Sequence, residues 1–128
     1  DRLKRLPRGV KFVGPVGPEK LRDLYRESDV FVFPSFFEGF GLVLLEAMAC
    51  GLPAIASDRS AGPDVLDDSC GRVVAAGDPE QLVETLRWFG VHRDQLPEMK
   101  RAARVKAEGF TWSSYREAVS DAVAQYNG

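Results

Sequence analysis

Residues 34–53 read PSFFEGFGLVLLEAMACGLP, and the fold turns on how they are parsed. An apolar run at residues 30–33 (VFVF) precedes them and stops at Pro34, as a strand would. A loop carrying Glu38, Gly39, Phe40 and Gly41 comes next. Residues 41–50 (GLVLLEAMAC) then read as a helix ended by Gly51 and Pro53. Its one polar side chain is Glu46. The others, Leu42, Val43, Leu44, Leu45, Ala47, Met48 and Ala49, are apolar on every face, the pattern of a buried helix. An ionised carboxylate buried without a partner costs roughly several kcal/mol. Glu46 is therefore expected to meet hydrogen-bond donors.

Two kinds of partner fit. Glu46 could cap a neighbouring loop or pair with an arginine, or it could accept hydrogen bonds from a ligand diol; the spacing alone leaves both open. The loop before the helix favours a ligand. Two glycines bracket Phe40, so backbone can approach a bound molecule without a Cβ in the way. The helix start at Gly41 offers free N–H groups and the positive end of a dipole, an anion site. Glu38 beside such a site makes sense if the ligand carries hydroxyls as well as phosphate, as a sugar joined to a nucleoside diphosphate does.

Outward from this stretch, the chain alternates strand and helix. Residues 10–13 (VKFV) read as a short strand ended by Gly14-Pro15, its partners later in the sequence or outside it. Residues 18–28 read as a helix with Pro18 in the first turn and Leu21, Leu24 and Tyr25 as its apolar stripe. The run at 30–33 is continuous, as for a strand covered on both sides. Residues 54–57 (AIAS) form the next strand, so 30–57 is a βαβ crossover with parallel strands. The loop 58–63 then lies at a strand's carboxyl end, where open α/β sheets bind ligands, with Ser57 and Gly62 as lining residues. Residues 72–75 (RVVA) are a further strand. Asp78-Pro79 with Gln81 is a helix start, followed by a stripe of Leu82, Val83, Leu86 and Phe89 up to Gly90. Residues 96–108 are a helix with Met99, Ala102, Ala103 and Val105 inward. Thr111 caps a last helix at 112–126, anchored by Phe110 and Trp112. The resulting fold class is α/β, a Rossmann-like three-layer α/β/α arrangement with a short parallel sheet.

Composition narrows the function. With 128 residues, 45% hydrophobic and 28% charged, the chain suits one domain with a proper core. A net charge of −2 gives no reason to expect nucleic acid or an anionic membrane. Two cysteines make no disulfide framework, and Cys50 reads as a small core residue. No apolar run approaches the length of a spanning helix or a signal peptide, and the expected compartment is the cytoplasm. His92, the lone histidine, has no acidic or cysteine partner nearby in sequence and reads as an exposed loop residue. No Asp-x-Asp or clustered ligands point to a metal.

The string P-S-x-x-E-G-F-G-L-x-x-L-E-A-M-A-x-G-x-P, in which seven residues separate Glu38 from Glu46, resembles glycosyltransferase family 4 (group 1) enzymes of the GT-B fold. The F-T-W at 110–112 is similar to the family's C-terminal signal. The resemblance runs from about Val10 to Tyr126 and covers only the C-terminal, donor-binding half-domain. It implies a retaining transfer from a UDP-, GDP- or ADP-linked sugar to a glycan or other acceptor, with no metal and no cofactor. Glu46 would accept from the ribose hydroxyls. Glu38 would be the catalytic-site acid that orients the donor. The backbone of Gly39, Phe40, Gly41 and Leu42 would meet the diphosphate or sugar hydroxyls. The family's diphosphate-binding arginine and lysine lie upstream, so Arg2, Lys4 and Arg5 are given no such role. The acceptor site and a histidine of the catalytic region belong to an N-terminal domain, also absent here, and any peripheral membrane contact would come through that domain. Residues 1–128 are thus read as a single nucleotide-sugar-binding domain that is a fragment, inactive alone. One departure stands out: Gly62-Pro63-Asp64-Val65 carries aspartate where the family tends to have glutamate, and Asp64 reads better as a helix-start carboxylate.

Three rival readings leave traces to look for. A non-catalytic nucleotide- or sugar-binding module of the same fold should lose Glu38 or Glu46, and both are present. A dinucleotide enzyme needs a third glycine after Gly39-Phe40-Gly41, where Leu42 to Leu45 stand instead. A structural or partner-binding domain would leave Glu46 unexplained without a counter-charge.

Overall fold

Three short apolar runs make the sheet of the computed structural model, which describes residues 7–34, 42–110 and 124. In chain order the elements are α1 (Pro18–Glu27), β1 (Phe31–Phe33), α2 (Leu42–Ala49), β2 (Ala54–Ser57), α3 (Gly62–Val65), β3 (Gly71–Val74), α4 (Pro79–Val91) and α5 (Leu96–Glu108), with a 3-10 turn at Arg93–Gln95 before α5. The sheet order is β1-β2-β3 and both pairings are parallel. Phe31, Val32 and Phe33 stand opposite Ala54, Ile55 and Ala56, so the crossover expected over residues 30–57 is present. Central β2 is buried at every position, whereas β1 is only half-buried. The expectation that β1 is covered on both sides is corrected by its place at an edge of the described sheet.

The pleat of β2 sorts the core. Ala54 and Ala56 face a cluster built from Leu44 and Met48 of α2, Val65 and Leu66 around α3, and Ala103 and Ala107 of α5. Ile55 faces the other way, onto Val74, Phe89 of α4, and Leu96 and Met99 at the start of α5. Tyr25 of α1 joins Ala47 and Leu52, its ring edge-on to Phe31 at 5.7 Å. The result is the three-layer α/β/α arrangement, with α5 reaching both faces.

Several helix starts and stops follow their sequence signals. Gly51 (φ +82°) ends α2 in a Schellman motif, with Leu52 N–H on the Ala47 carbonyl at 3.2 Å and Gly51 N–H on Met48 at 2.9 Å. Asp78 caps α4 by accepting from Gln81 N–H at 3.0 Å. The Gln81 side chain does not close a capping box; its Oε1 accepts from Ala75 N–H at 2.6 Å and ties the loop after β3 to the helix. At Gly71 a Cβ would run into the Ala54 carbonyl oxygen, so only glycine lets β3 start this close to β2.

Other expectations are corrected. Residues 10–13 form no strand and pair with none of the described strands; Val10, Phe12 and Val13 lie exposed. In α4 the inward residues are Leu82, Trp88 and Phe89, while Val83 and Leu86 are exposed, since the helix is phased on residues 82, 85 and 89. In α5 the stripe is Leu96, Met99, Ala103 and Ala107, and Val105 faces out. Cys50 is half-buried and Cys70 is the core cysteine, its thiol pushed up by burial. The expected last helix, with Thr111 and Trp112, and the lead-in residues Arg2, Lys4 and Arg5 fall outside the described residues.

Candidate functional site

Parallel strands put the carboxyl ends of β1, β2 and β3 on one edge, and the segments that follow them meet there. Phe33 and Ala56 are the last registered pair of β1 and β2, so Pro34 and Ser57 leave the sheet side by side, roughly 5 Å apart as neighbouring strands are. The segment after β1 leads into α2; the segment after β2 leads into α3.

The β2 segment is held by its own polar groups. Asp58 N–H donates to the Val74 carbonyl at 2.8 Å, and the Asp58 carboxylate accepts from Ala76 N–H at 2.9 Å, which laces the loops after β2 and β3 together. Ser60 Oγ donates to the Ser57 carbonyl at 2.8 Å and accepts from Gly62 N–H at 3.0 Å. Arg59 N–H donates to Ser57 Oγ at 3.3 Å. Gly62 is buried against the strand: a Cβ there would stand 2.9 Å from Ala56 Cβ and 3.1 Å from the Ser57 carbonyl oxygen. Asp64 sits exposed in the first turn of α3, as the helix-start reading expected. Between the ends of β1 and β3 a cavity of about 190 Å³ opens against Pro34, Val74, Ala75, Asp78 and Leu82.

Helix α2 follows β1 from this edge, and it packs differently from the sequence expectation. It is not a buried helix. Leu44, Ala47 and Met48 are buried, but Leu42, Val43, Glu46 and Ala49 form an exposed face. Only one side of α2 rests on β2 and α5. The outer side keeps its apolar residues, with Leu42 43% and Val43 40% exposed. The uniform hydrophobicity of the segment hid that geometry. Leu42 opens α2, where first-turn N–H groups have no acceptor within the helix. Glu46 lies one turn on, and among the described residues no cation pairs with it. It lies near enough to Tyr25 of α1 to help raise that phenol above its ordinary range, after burial as the larger cause and before Cys50. Glu38, Gly39, Phe40 and Gly41 fall outside the described residues.

Away from this edge, His92 is neither catalytic in placement nor simply exposed. It caps α4, stacks on Trp88 with ring centroids 4.3 Å apart, and its Nδ1 lies 2.8 Å from the Trp88 carbonyl oxygen. Sequence reading also passed over Asp58 and Arg59. The only signal was their place directly after β2, at the carboxyl edge of the sheet.

A short parallel sheet flanked by helices, with a glutamate on the helix after β1 and polar loops at one edge, is a Rossmann-like half-domain of the GT-B kind. The chain belongs to the family described as "Glycosyl transferases group 1", which matches residues 1–90. It is similar to the D-inositol 3-phosphate glycosyltransferase of Streptomyces coelicolor, 40% identical over 113 residues, which is 88% of this chain and 25% of that protein. Among solved structures, sucrose-phosphate synthase from Thermosynechococcus elongatus superposes with a TM-score of 0.75 at 29% identity, covering 91% of this chain and 30% of that one. The C-terminal domain of a glycosyl transferase group 1 family protein from Francisella tularensis gives 0.66 at 26% identity, over 78% and 51%. The chain spans about a quarter of the length of the curated relatives it matches.

Proposed function

We propose that this chain is the donor-binding part of a retaining glycosyltransferase that moves a sugar from a nucleotide-activated donor to a glycan or other acceptor without a metal. The observation that carries the reading is Glu46 on the open face of α2, one turn from the helix start and without a cation partner among the described residues. The family membership supports it. A carboxylate suits a vicinal diol because each oxygen takes one O–H, and an exposed carboxylate is free to do so. Glu46 holds the ribose hydroxyls; Glu38 orients the donor sugar; the backbone of Gly39, Phe40, Gly41 and Leu42 faces the diphosphate. As the bond from the sugar to the leaving phosphate breaks, negative charge grows on the diphosphate. N–H donors fixed there lower the barrier without a proton donor. The matched proteins bear names as different as D-inositol 3-phosphate glycosyltransferase and sucrose-phosphate synthase. The shared donor side therefore carries the reading, and the acceptor is chosen by the N-terminal domain. The protein works in the cytoplasm, and residues 1–128 alone bind nucleotide weakly and do not turn over.

Ligand-observed NMR against UDP, GDP and ADP tests the reading. One of the three is expected to bind, and Glu46→Ala to weaken it at least tenfold, the loss of charge-assisted hydrogen bonds. Binding that survives the substitution unchanged removes Glu46 from the site. Turnover of the intact protein should persist in excess chelator; complete loss would contradict the metal-free mechanism.

A further inference from the structure

Tyr25, the buried residue of α1, is 9% exposed and packs with Ala47 and Leu52, a cluster against which Phe31 and Cys50 rest. Glu46 and Cys50 are one turn apart on α2 and Ala47 flanks them, so this cluster borders the open face that carries Glu46. The Tyr25 hydroxyl makes no hydrogen bond among the described residues, with Glu46 or with any other. Polar groups on buried side chains almost always have a partner, and an exception asks for one. Burial first, then the charge of Glu46 and then Cys50, raise the phenol above its ordinary range, so it stays protonated, a donor, at every working pH. Glu46 has no cation beside it among the described residues, and an ionised carboxylate only accepts. A donor and an acceptor thus stand on adjoining helices, near one another and not bonded to one another.

We propose that Tyr25 is a ribose-binding residue of the donor site, its O–H donating to a ribose hydroxyl whose own O–H is accepted by Glu46. The inference rests on the donor-site reading above and adds the donor that Glu46 lacks. A sugar hydroxyl gives one hydrogen bond and takes at least one. A carboxylate answers only the first half; a phenol answers the second. The ring is fixed before any ligand arrives, edge-on to Phe31 at 5.7 Å and packed with Ala47 of α2, so little freedom is lost on binding. An ionised phosphate has no O–H to give and is repelled by Glu46, so the pair selects a hydroxyl over a phosphate oxygen.

The test is calorimetry on the intact protein with UDP, GDP and ADP, and with the 2′-deoxy and 3′-deoxy forms of whichever binds, in wild type, Tyr25→Phe and Glu46→Ala. Phenylalanine keeps the ring and its packing and removes only the O–H. Tyr25→Phe should weaken the ribose nucleotide about fivefold, the middle of the range for one neutral hydrogen bond. Against one of the two deoxy forms that loss should vanish, wild type and Tyr25→Phe agreeing within about twofold, because the hydroxyl that Tyr25 contacts is gone. Full affinity in Tyr25→Phe, or an equal loss against the ribose form and both deoxy forms, overturns the role of Tyr25; a loss in Glu46→Ala alongside it leaves the donor-site reading standing. If Glu46→Ala binds as tightly as wild type, or if none of the three diphosphates binds wild type, the donor-site reading fails and this inference falls with it.

Discussion

The two ends of the sheet treat charge in opposite ways. At the amino end, acids pair with bases: Asp29, just before β1, meets Arg93 at 3.1 Å and Lys100 at 3.3 Å. Asp67 and Asp68, just before β3, meet Lys106 at 3.4 Å and Arg72 at 3.7 Å. Arg72 also lies 4.1 Å above the Trp88 ring, whose neighbour in the stack is His92. At the carboxyl end no described acid meets a described base. Asp58 and Asp78 bond backbone N–H groups instead, and Arg59 and Asp64 stand exposed. The amino-end contacts tie β3 to α4 and bring α5 against the segments before β1 and β3.

The largest expected effect breaks both ends at once. Gly71→Ala puts a methyl group into the Ala54 carbonyl oxygen, a backbone atom of the adjacent strand that has nowhere to go. Urea denaturation should show a loss of about 3 kcal/mol. A loss under about 1 kcal/mol would mean that β3 can slide on β2, and the edge described above would lose its fixed geometry.

Asp78→Ala comes next and asks whether the carboxyl end carries structural carboxylates at all. It removes the acceptor of Gln81 N–H at the start of α4, and a cap of this kind is worth about 1 kcal/mol. The same measurement on Asp78→Asn should show nearly full stability, since an amide oxygen caps as well.

These contrasts mark how far the sequence could be read. Caps and stops were legible because they are local: Gly51, Asp78-Pro79 and the bounds of β2 and α5 stand where their residues placed them. Burial was not. Residues 42–49 are apolar at every position but one, so nothing in their order says which side meets β2 and which side meets solvent. The false strand at 10–13 shows the same limit: a strand pattern becomes a strand only by pairing, and residues 10–13 pair with no described strand. For the site, the glutamate spacing was visible through family resemblance, while the bond that laces the loop after β2 to the loop after β3 was not, because Asp58 and Ala76 lie far apart in the sequence.

At the amino end, Asp29→Asn should cost about 0.5 kcal/mol at neutral pH, the scale of an exposed ion pair. The Lys100 hydrogen bond first, and Arg93 after it, hold the Asp29 carboxyl below its ordinary range against partial burial. A carboxyl lowered by folding adds stability above its unfolded value, near pH 4, and loses it as pH falls through the folded value. The gap between wild type and Asp29→Asn in urea midpoints should therefore be steady from pH 7 to 5 and close at lower pH. A gap that widens on acidification would reverse the assignment.

The smallest effect sharpens the comparison most. Glu46→Gln removes a charge that has no counter-charge among the described residues and lies on exposed surface, so it should change stability by no more than about 0.5 kcal/mol. Under the donor-site reading it should still weaken nucleotide binding. That dissociation is the signature of a group placed for a ligand. A residue that holds the fold moves both quantities together, as Gly71→Ala must. Were Glu46→Gln to cost more than about 1 kcal/mol without nucleotide, the carboxylate would have a protein partner, and the difference between the two ends of the sheet would shrink to a difference in partner type.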